Sequence, residues 1–294
     1  MENGNYIWSS LIHTPECLDK HRKSRFNEDV RDRLIELLRI ETPSDLIEIG
    51  CGPGTLSHKL NQWCPGLQIT AFDMDKAFID YAAKHYQGPN YICGDARNFI
   101  SEKKFDYVLS HTIMEYMDEK CFFDVNRRLL KPDGISIIIS SVKSINYDNY
   151  LLYPHLDELN RFLRFCETNN THRAVEQVLQ KQNIDYSEFL DRFKRNGFEI
   201  LSQNFICSEI IPQNYSIERI QDTIEMYWEI QVSTFKTAWN RTPNIPESFS
   251  YSRILQSIED YYLNISNGNL LKWPATVDIL RIIRARLASA HSNV

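Results

Sequence analysis

The chain contains no CxxC pair, no HExxH motif and no apolar run approaching the roughly 18 residues that span a bilayer. Its seven cysteines (Cys17, Cys51, Cys64, Cys93, Cys121, Cys166 and Cys207) are odd in number and widely spaced, which excludes a sequence-legible zinc or disulfide framework and favours reduced thiols. No metal is expected. Lys and Arg are scattered along the chain. With 33 basic residues against 39 acidic ones the net charge is −6, so the chain lacks the basic face that holds a phosphate backbone, and a nucleic-acid partner is not expected. The opening stretch MENGNYIWSSLIHTPECLDKHRK has neither the basic start nor the apolar core of a secretory signal, so the expected location is the cytoplasm, with no membrane partner. Sequons at Asn169, Asn214, Asn240 and Asn264 then read as chance occurrences. No internal repeat or low-complexity tract stands out.

What is present is a long alternation of two periods. VRDRLIELLRI carries Val30, Leu34, Leu37 and Leu38 at helical spacing; DLIEIG follows as a strand, and TLSHKLNQWC as a helix closed by Pro65-Gly66. LQITAFD, NYICGD and FDYVLSH read as further strands. KAFIDYAAKHY and DEKCFFDVNRRLLK read as helices, closed by Gly88-Pro89 and by Pro132-Asp133-Gly134, and ISIIISSV as a β-branched fifth strand. Such alternation implies an α/β fold: a doubly wound, mostly parallel sheet with helices on both faces.

After Val142 the regularity stops. Residues 146–183 and 214–269 are helical in pattern and rich in aromatics, while IDYSEFLDRFKRNGF, a helix with Gly197 at its end, feeds the strand candidate EILSQNFICSEII. VDILRIIRARL is read as a last strand rather than a helix, because it completes a sheet of seven.

Directly behind the first strand stands IEIGCGPGTL, with Gly50, Gly52 and Gly54 at alternate positions. Glycines let the backbone adopt conformations closed to other residues and let a ligand lie close against it. In an open parallel sheet, ligands bind at the carboxyl ends of the strands, against this first strand-to-helix turn. The dinucleotide fingerprint needs a third glycine where Thr55 stands, and an acid, Glu48, lies inside the strand itself.

This arrangement resembles motif I of the class I S-adenosylmethionine-dependent methyltransferases, over residues 27–142 and more weakly over 184–211 and the last 20 residues. Three further positions agree in order. The resemblance implies that Asp73, ending the second strand, accepts from the ribose hydroxyls, that Met74 packs on adenine, and that Asp95, beside Ala96 in GDA, accepts from the adenine amino group. It implies that Ser110 and His111, ending the fourth strand, line the methionyl part and the acceptor pocket. Glu48, Gly50, Cys51, Gly52 and Gly54 complete the expected cofactor site for S-adenosylmethionine, whose product form is S-adenosylhomocysteine. A sulfonium ligand without phosphate tolerates these carboxylates where a pyrophosphate would be repelled.

The implied organisation is a methyltransferase core with an N-terminal helical flap (1–145), a helical lid (146–183), a core continuation (184–213), a helical cap (214–269) and a last strand with a tail (270–294). SHTIMEYMDEK lacks the (Asp/Asn)-Pro-Pro-aromatic motif of amino-group DNA methyltransferases, and no Pro-Cys dipeptide occurs. By elimination the acceptor is a small molecule methylated on N or O, a biosynthetic amine or phenol, handled by a monomer or homodimer.

His111 and Glu115 are candidates for a base or an orienter of the acceptor; the alternative is a loop residue and a solvated first-turn acid. Tyr6, Trp8, Tyr147, Tyr153 and Trp228 are candidate acceptor contacts, although the helical stripes place most of the aromatics in a core. Two other readings stay open: an enzyme of this fold that catalyses cyclisation or rearrangement without methylating, and a non-catalytic subunit that binds a partner.

Overall fold

The computed structural model describes Ser9 and residues 13–114, 117–142, 156–168, 186–210, 217–266 and 276–288. In chain order the elements are α1 (Pro15–Arg25), α2 (Glu28–Leu38), β1 (Ser44–Ile49), α3 (Thr55–Trp63), β2 (Leu67–Asp73), α4 (Lys76–His85), β3 (Asn90–Cys93), β4 (Phe105–His111) and α5 (Glu119–Leu129). They continue with β5 (Leu130–Val142), α6 (Asp157–Thr168), α7 (Tyr186–Arg195), β6 (Phe198–Ile210), α8 (Ile217–Arg241), α9 (Tyr251–Ser266) and β7 (Thr276–Leu287). Packing divides the chain into a sheet unit (Arg22–Val142, Gln180–Ile206, Ile279–Val294) and a helical unit (Met1–His21, Lys143–Leu179, Cys207–Asp278). Among the described residues no helix is long and apolar enough to cross a membrane.

The sheet has seven strands in the order β3-β2-β1-β4-β5-β7-β6. The pairs β1–β2, β1–β4, β2–β3 and β4–β5 are parallel, whereas β7 runs antiparallel to β5 with Ile138 opposite Ile283. The order reverses between β2-β1 and β4, which opens a crevice at the carboxyl ends of those strands. Alternate strand residues supply two cores. On one face Leu46, Leu109, Ile137 and Ile282 pack with Leu34 and Leu38 of α2 and with Leu56 and Leu60 of α3. On the other, Ile47, Ile49, Val108, Ile138 and Ile283 pack with Phe122 and Phe123 of α5 and with Phe189 and Phe193 of α7. Burial on both faces explains why these strands read as apolar runs.

Local signals set the helix ends. The Asn27 side chain caps α2 by accepting from the Asp29 N–H at 2.9 Å, and the helix stops at Arg39, whose φ is 48°. Asp75 caps α4 in the same way. One boundary departs from the sequence reading: Leu130 and Lys131, expected in a helix, begin β5, and Leu130 pairs with Phe105. Pro132 accounts for this, since it disfavours helical backbone in the residue before it.

The helical unit has its own core, built from Leu159, Phe162 and Leu163 of α6, Ile224 and Phe235 of α8, and Ile254, Ile258 and Tyr262 of α9. Phe162 is its hub, edge-on to Phe235 at 5.6 Å and to Phe249 at 5.5 Å.

Phe193 is fully buried and meets Phe123 at 5.2 Å, so it ties α7 to α5. Phe193→Ala should cost about 3–5 kcal/mol in urea unfolding of the intact chain; a loss under about 1 kcal/mol would mean that α7 is not part of the sheet core.

Candidate active site

Five residues turn β1 into α3. Gly50, Gly52 and Gly54 have φ of 71°, 56° and 81°, in the left-handed region. At two of them the space is also closed: a Cβ on Gly50 would stand 2.1 Å from Cδ1 of Ile113, and one on Gly54 2.7 Å from Cε1 of Tyr91. The loop is stitched to β2. The N–H groups of Gly50 and Cys51 donate to the Phe72 carbonyl at 2.7 and 3.1 Å, and the Gly52 N–H donates to Oδ2 of Asp73 at 2.8 Å. Cys51 is buried, and desolvation raises its thiol well above the ordinary range, which makes it an inert wall of the turn.

Three carboxylates ring the loop in different states. Asp73 accepts from the Gly52 N–H and, through Oδ1, from the Asp75 N–H at 2.8 Å; burial pushes it up to about 6 against the pull of those two bonds. Glu48, with no exposed surface, is pushed up to about 7 by burial, opposed by the Ser57 hydroxyl and the Arg22 guanidinium. Ser57 donates to its Oε2, while Oε1 has no hydrogen-bond partner. Asp95 is half-buried and held below the usual carboxylate range by Arg97, whose Nε and Nη2 reach its Oδ2 at 2.8 and 2.6 Å. Ala96 is pinned from α5, where Arg128 Nη2 donates to its carbonyl at 2.7 Å. Met74 lies just past Asp73, its carbonyl 3.9 Å from the Cys93 thiol.

At the end of β4, Ser110 pairs in register with Ile49 and is buried with its hydroxyl unpartnered. His111 is fully buried, edge-on to Phe26 at 4.9 Å. Arg22 Nη1 donates to its Nδ1, and Arg25 Nη1 stands 3.5 Å from Nε2. A guanidinium only donates and a neutral imidazole has one accepting nitrogen, so on either ring nitrogen the His111 lone pair faces an arginine.

The structure thus brings Glu48, the three glycines, Cys51, Asp73, Ser110 and His111 together at the ends of β1, β2 and β4, with Asp95 and Ala96 following β3. Glu115, Tyr6, Trp8, Tyr147 and Tyr153 lie outside the described residues. Trp228 belongs to the helical unit and is 39% exposed. Sequence reading missed Arg22, Arg25 and Ser57. The i, i+3, i+4 spacing of Arg22, Arg25 and Phe26 was an available sign that one face of α1 is committed. Among the described residues no group of three or more His, Cys, Asp or Glu could hold a metal ion.

A glycine turn at the strand reversal, backed by the buried acids Glu48 and Asp73, stands where an open α/β sheet takes its ligand. Residues 46–134, less than a third of the chain, match the model of a methyltransferase domain, and that stretch holds the glycine turn, Asp73, Asp95 and His111. The chain is similar to a malonyl-[acyl-carrier protein] O-methyltransferase of Hahella chejuensis, 27% identical over 46% of this chain and 51% of that one. It is also similar to a trans-aconitate 2-methyltransferase of Escherichia coli, 27% identical over 35% of this chain and 41% of that one. In both, the matched region spans about half or less of the curated relative. An S-adenosylmethionine-dependent methyltransferase of Thiobacillus denitrificans, solved with S-adenosyl-L-homocysteine, shares the fold at a TM-score of 0.50, 14% identity, 92% of this chain and 97% of that one.

Glu48 and Asp73 bind protons in the folded chain that they release on unfolding at the same pH. Between about pH 4 and 7 their burial therefore makes stability fall as pH rises. Glu48→Gln should leave the ligand-free protein little changed near pH 4 and stabilise it by on the order of 1–3 kcal/mol near pH 8, read by urea unfolding. Destabilisation near pH 8 would show that the ionised carboxylate is well solvated or paired.

Proposed function

We propose that the chain binds S-adenosylmethionine at the glycine loop and transfers its methyl group to an oxygen or nitrogen of a small-molecule acceptor. The observation that carries this reading is the pair of buried, unpartnered acceptors, Glu48 Oε1 and Ser110 Oγ, at the ends of adjacent strands behind the loop. Buried polar atoms without partners are costly and call for a ligand that supplies donors. The cofactor suits them. It carries an ammonium group and two ribose hydroxyls as donors, a positive sulfonium and no phosphate.

The residue roles follow from this chemistry. Asp73, its carboxylate already aimed by the Gly52 and Asp75 amides, accepts from the ribose hydroxyls. Asp95 and Ala96 meet the adenine edge, and Met74 its face. Glu48 and Ser110 meet the ammonium end, and Arg22, buried among them, balances the cofactor carboxylate. When bound, the cofactor supplies an electrophilic methyl group, so the protein's task is to hold the acceptor in line and keep water out.

For the acceptor we favour a carboxylate oxygen over the amine or phenol of the sequence reading. Both curated relatives above are named for acid substrates. An ionised carboxylate is a nucleophile without help, and both ring nitrogens of His111 face guanidinium groups. His111 is then a positioning group rather than a base, and Glu115 remains a candidate contact for the acceptor.

Purified protein should bind S-adenosylhomocysteine in calorimetry, and methyl-labelled S-adenosylmethionine should label a carboxylic acid from a panel of acids, amines and phenols. Labelled amines or phenols alone would refute the acceptor proposal; cofactor binding with neither cofactor consumption nor a labelled product would favour the cyclisation reading. Asp73→Ala should weaken cofactor binding by about 1–3 kcal/mol, and unchanged affinity would remove that residue from the site.

A further inference from the structure

Ser57 stands in the first turn of α3, three residues beyond Gly54, and has no exposed surface. Its hydroxyl donates to Oε2 of Glu48, nine positions earlier on the other side of the glycine loop. The two oxygens of that buried carboxylate are thereby made unequal: Oε2 is committed, and Oε1 has no partner. A serine facing the core from a helix that otherwise buries Leu56 and Leu60 supplies no apolar contact that alanine would lack, so its hydroxyl is the feature that distinguishes it.

The charged and titratable groups around Glu48 come from three other elements. Arg22 of α1 attracts its negative charge, and Asp73 at the end of β2 repels it. Cys51 in the loop is held in its neutral form by burial, with Asp73 and Glu48 adding to the effect. Arg22 also meets the ring of His111 of β4. Within this set Ser57 is a neutral donor to Glu48.

We propose that Ser57 is a positioning residue for cofactor binding: by holding Oε2 of Glu48 it presents Oε1 to the ammonium group of S-adenosylmethionine. The inference rests on the cofactor proposed above. Its consequence is a pH dependence. Burial already pushes the Glu48 carboxyl up to about 7, and the Ser57 hydroxyl opposes that rise. Without the hydroxyl the carboxyl moves further up, and the acid form, which carries no charge for the ammonium group, persists to higher pH.

The test is calorimetric titration of S-adenosylhomocysteine into the intact chain between about pH 6 and 9, for wild type, Ser57→Ala, Ser57→Thr and Ser57→Cys. Ser57→Ala should lose about ten-fold in affinity near pH 6.5 and within about three-fold near pH 9, its acid limb displaced to higher pH. Ser57→Thr, which keeps the hydroxyl, should restore the wild-type limb. Ser57→Cys, a weaker donor of nearly the same size, should fall between, and this holds the comparison together if the alanine variant does not fold. A loss that is equal at every pH in the alanine and cysteine variants would mean packing alone and overturn the proposal, as would an acid limb unchanged from wild type. No binding by wild type at any pH would instead refute the cofactor reading.

Discussion

Between Ile49 and Thr55 the backbone must leave a strand, double back and start a helix while resting against the end of β2. The contact is made by main-chain groups, with two amides on the Phe72 carbonyl and one on the Asp73 carboxylate. Side chains on Gly50 or Gly54 would collide with Ile113, Tyr91 or Ala82, so the turn can be this tight only with glycine there. Its tightness has two consequences. It draws α3 over the end of β1, which seals Glu48 behind Ser57, and it fixes the direction of the Asp73 carboxylate from both oxygens.

Burying two acids this close together is unfavourable, and the surroundings offset it only in part. Backbone amides serve Asp73; one hydroxyl serves Glu48; Arg22 offers a positive charge near both. The deficit left at Glu48 Oε1 and Ser110 Oγ lies where the proposed ligand would bring donors. Asp95 behaves differently. It is half-buried and already matched by the Arg97 fork, so it remains ionised without a ligand and contributes no such deficit.

Much of this was legible in the sequence where the signal is local. The strands β1 to β5, the glycine turn, Asp73 and Asp95 each stand within a short apolar run and its closing residues, and β7 was correctly read as a strand from VDILRIIRARL. The parts that escaped depend on pairs far apart in the chain. Arg22 and Arg25 acquire meaning only when α1 meets His111, 89 and 86 residues later. Ser57 sits in an ordinary helix pattern and matters only because the turn returns it to Glu48. The start of β5 at Leu130 was hidden because DEKCFFDVNRRLLK keeps a helical rhythm past the point where Pro132 and the pairing with Phe105 end the helix. Among the aromatics, spacing placed Phe162, Phe235 and Tyr262 correctly in a core, but only packing separates them from the exposed Trp228 and Tyr251.

On the function proposed here, the fold keeps a buried carboxylate at Glu48 for the ammonium group of a ligand. The most direct test is the proton balance of binding, obtained by titrating S-adenosylhomocysteine near pH 6.5 in two buffers of different ionisation enthalpy. The account predicts a net release of up to about one proton, because the ligand's ammonium group selects the ionised form of an acid that burial otherwise keeps partly protonated. Binding with an enthalpy independent of the buffer would contradict it.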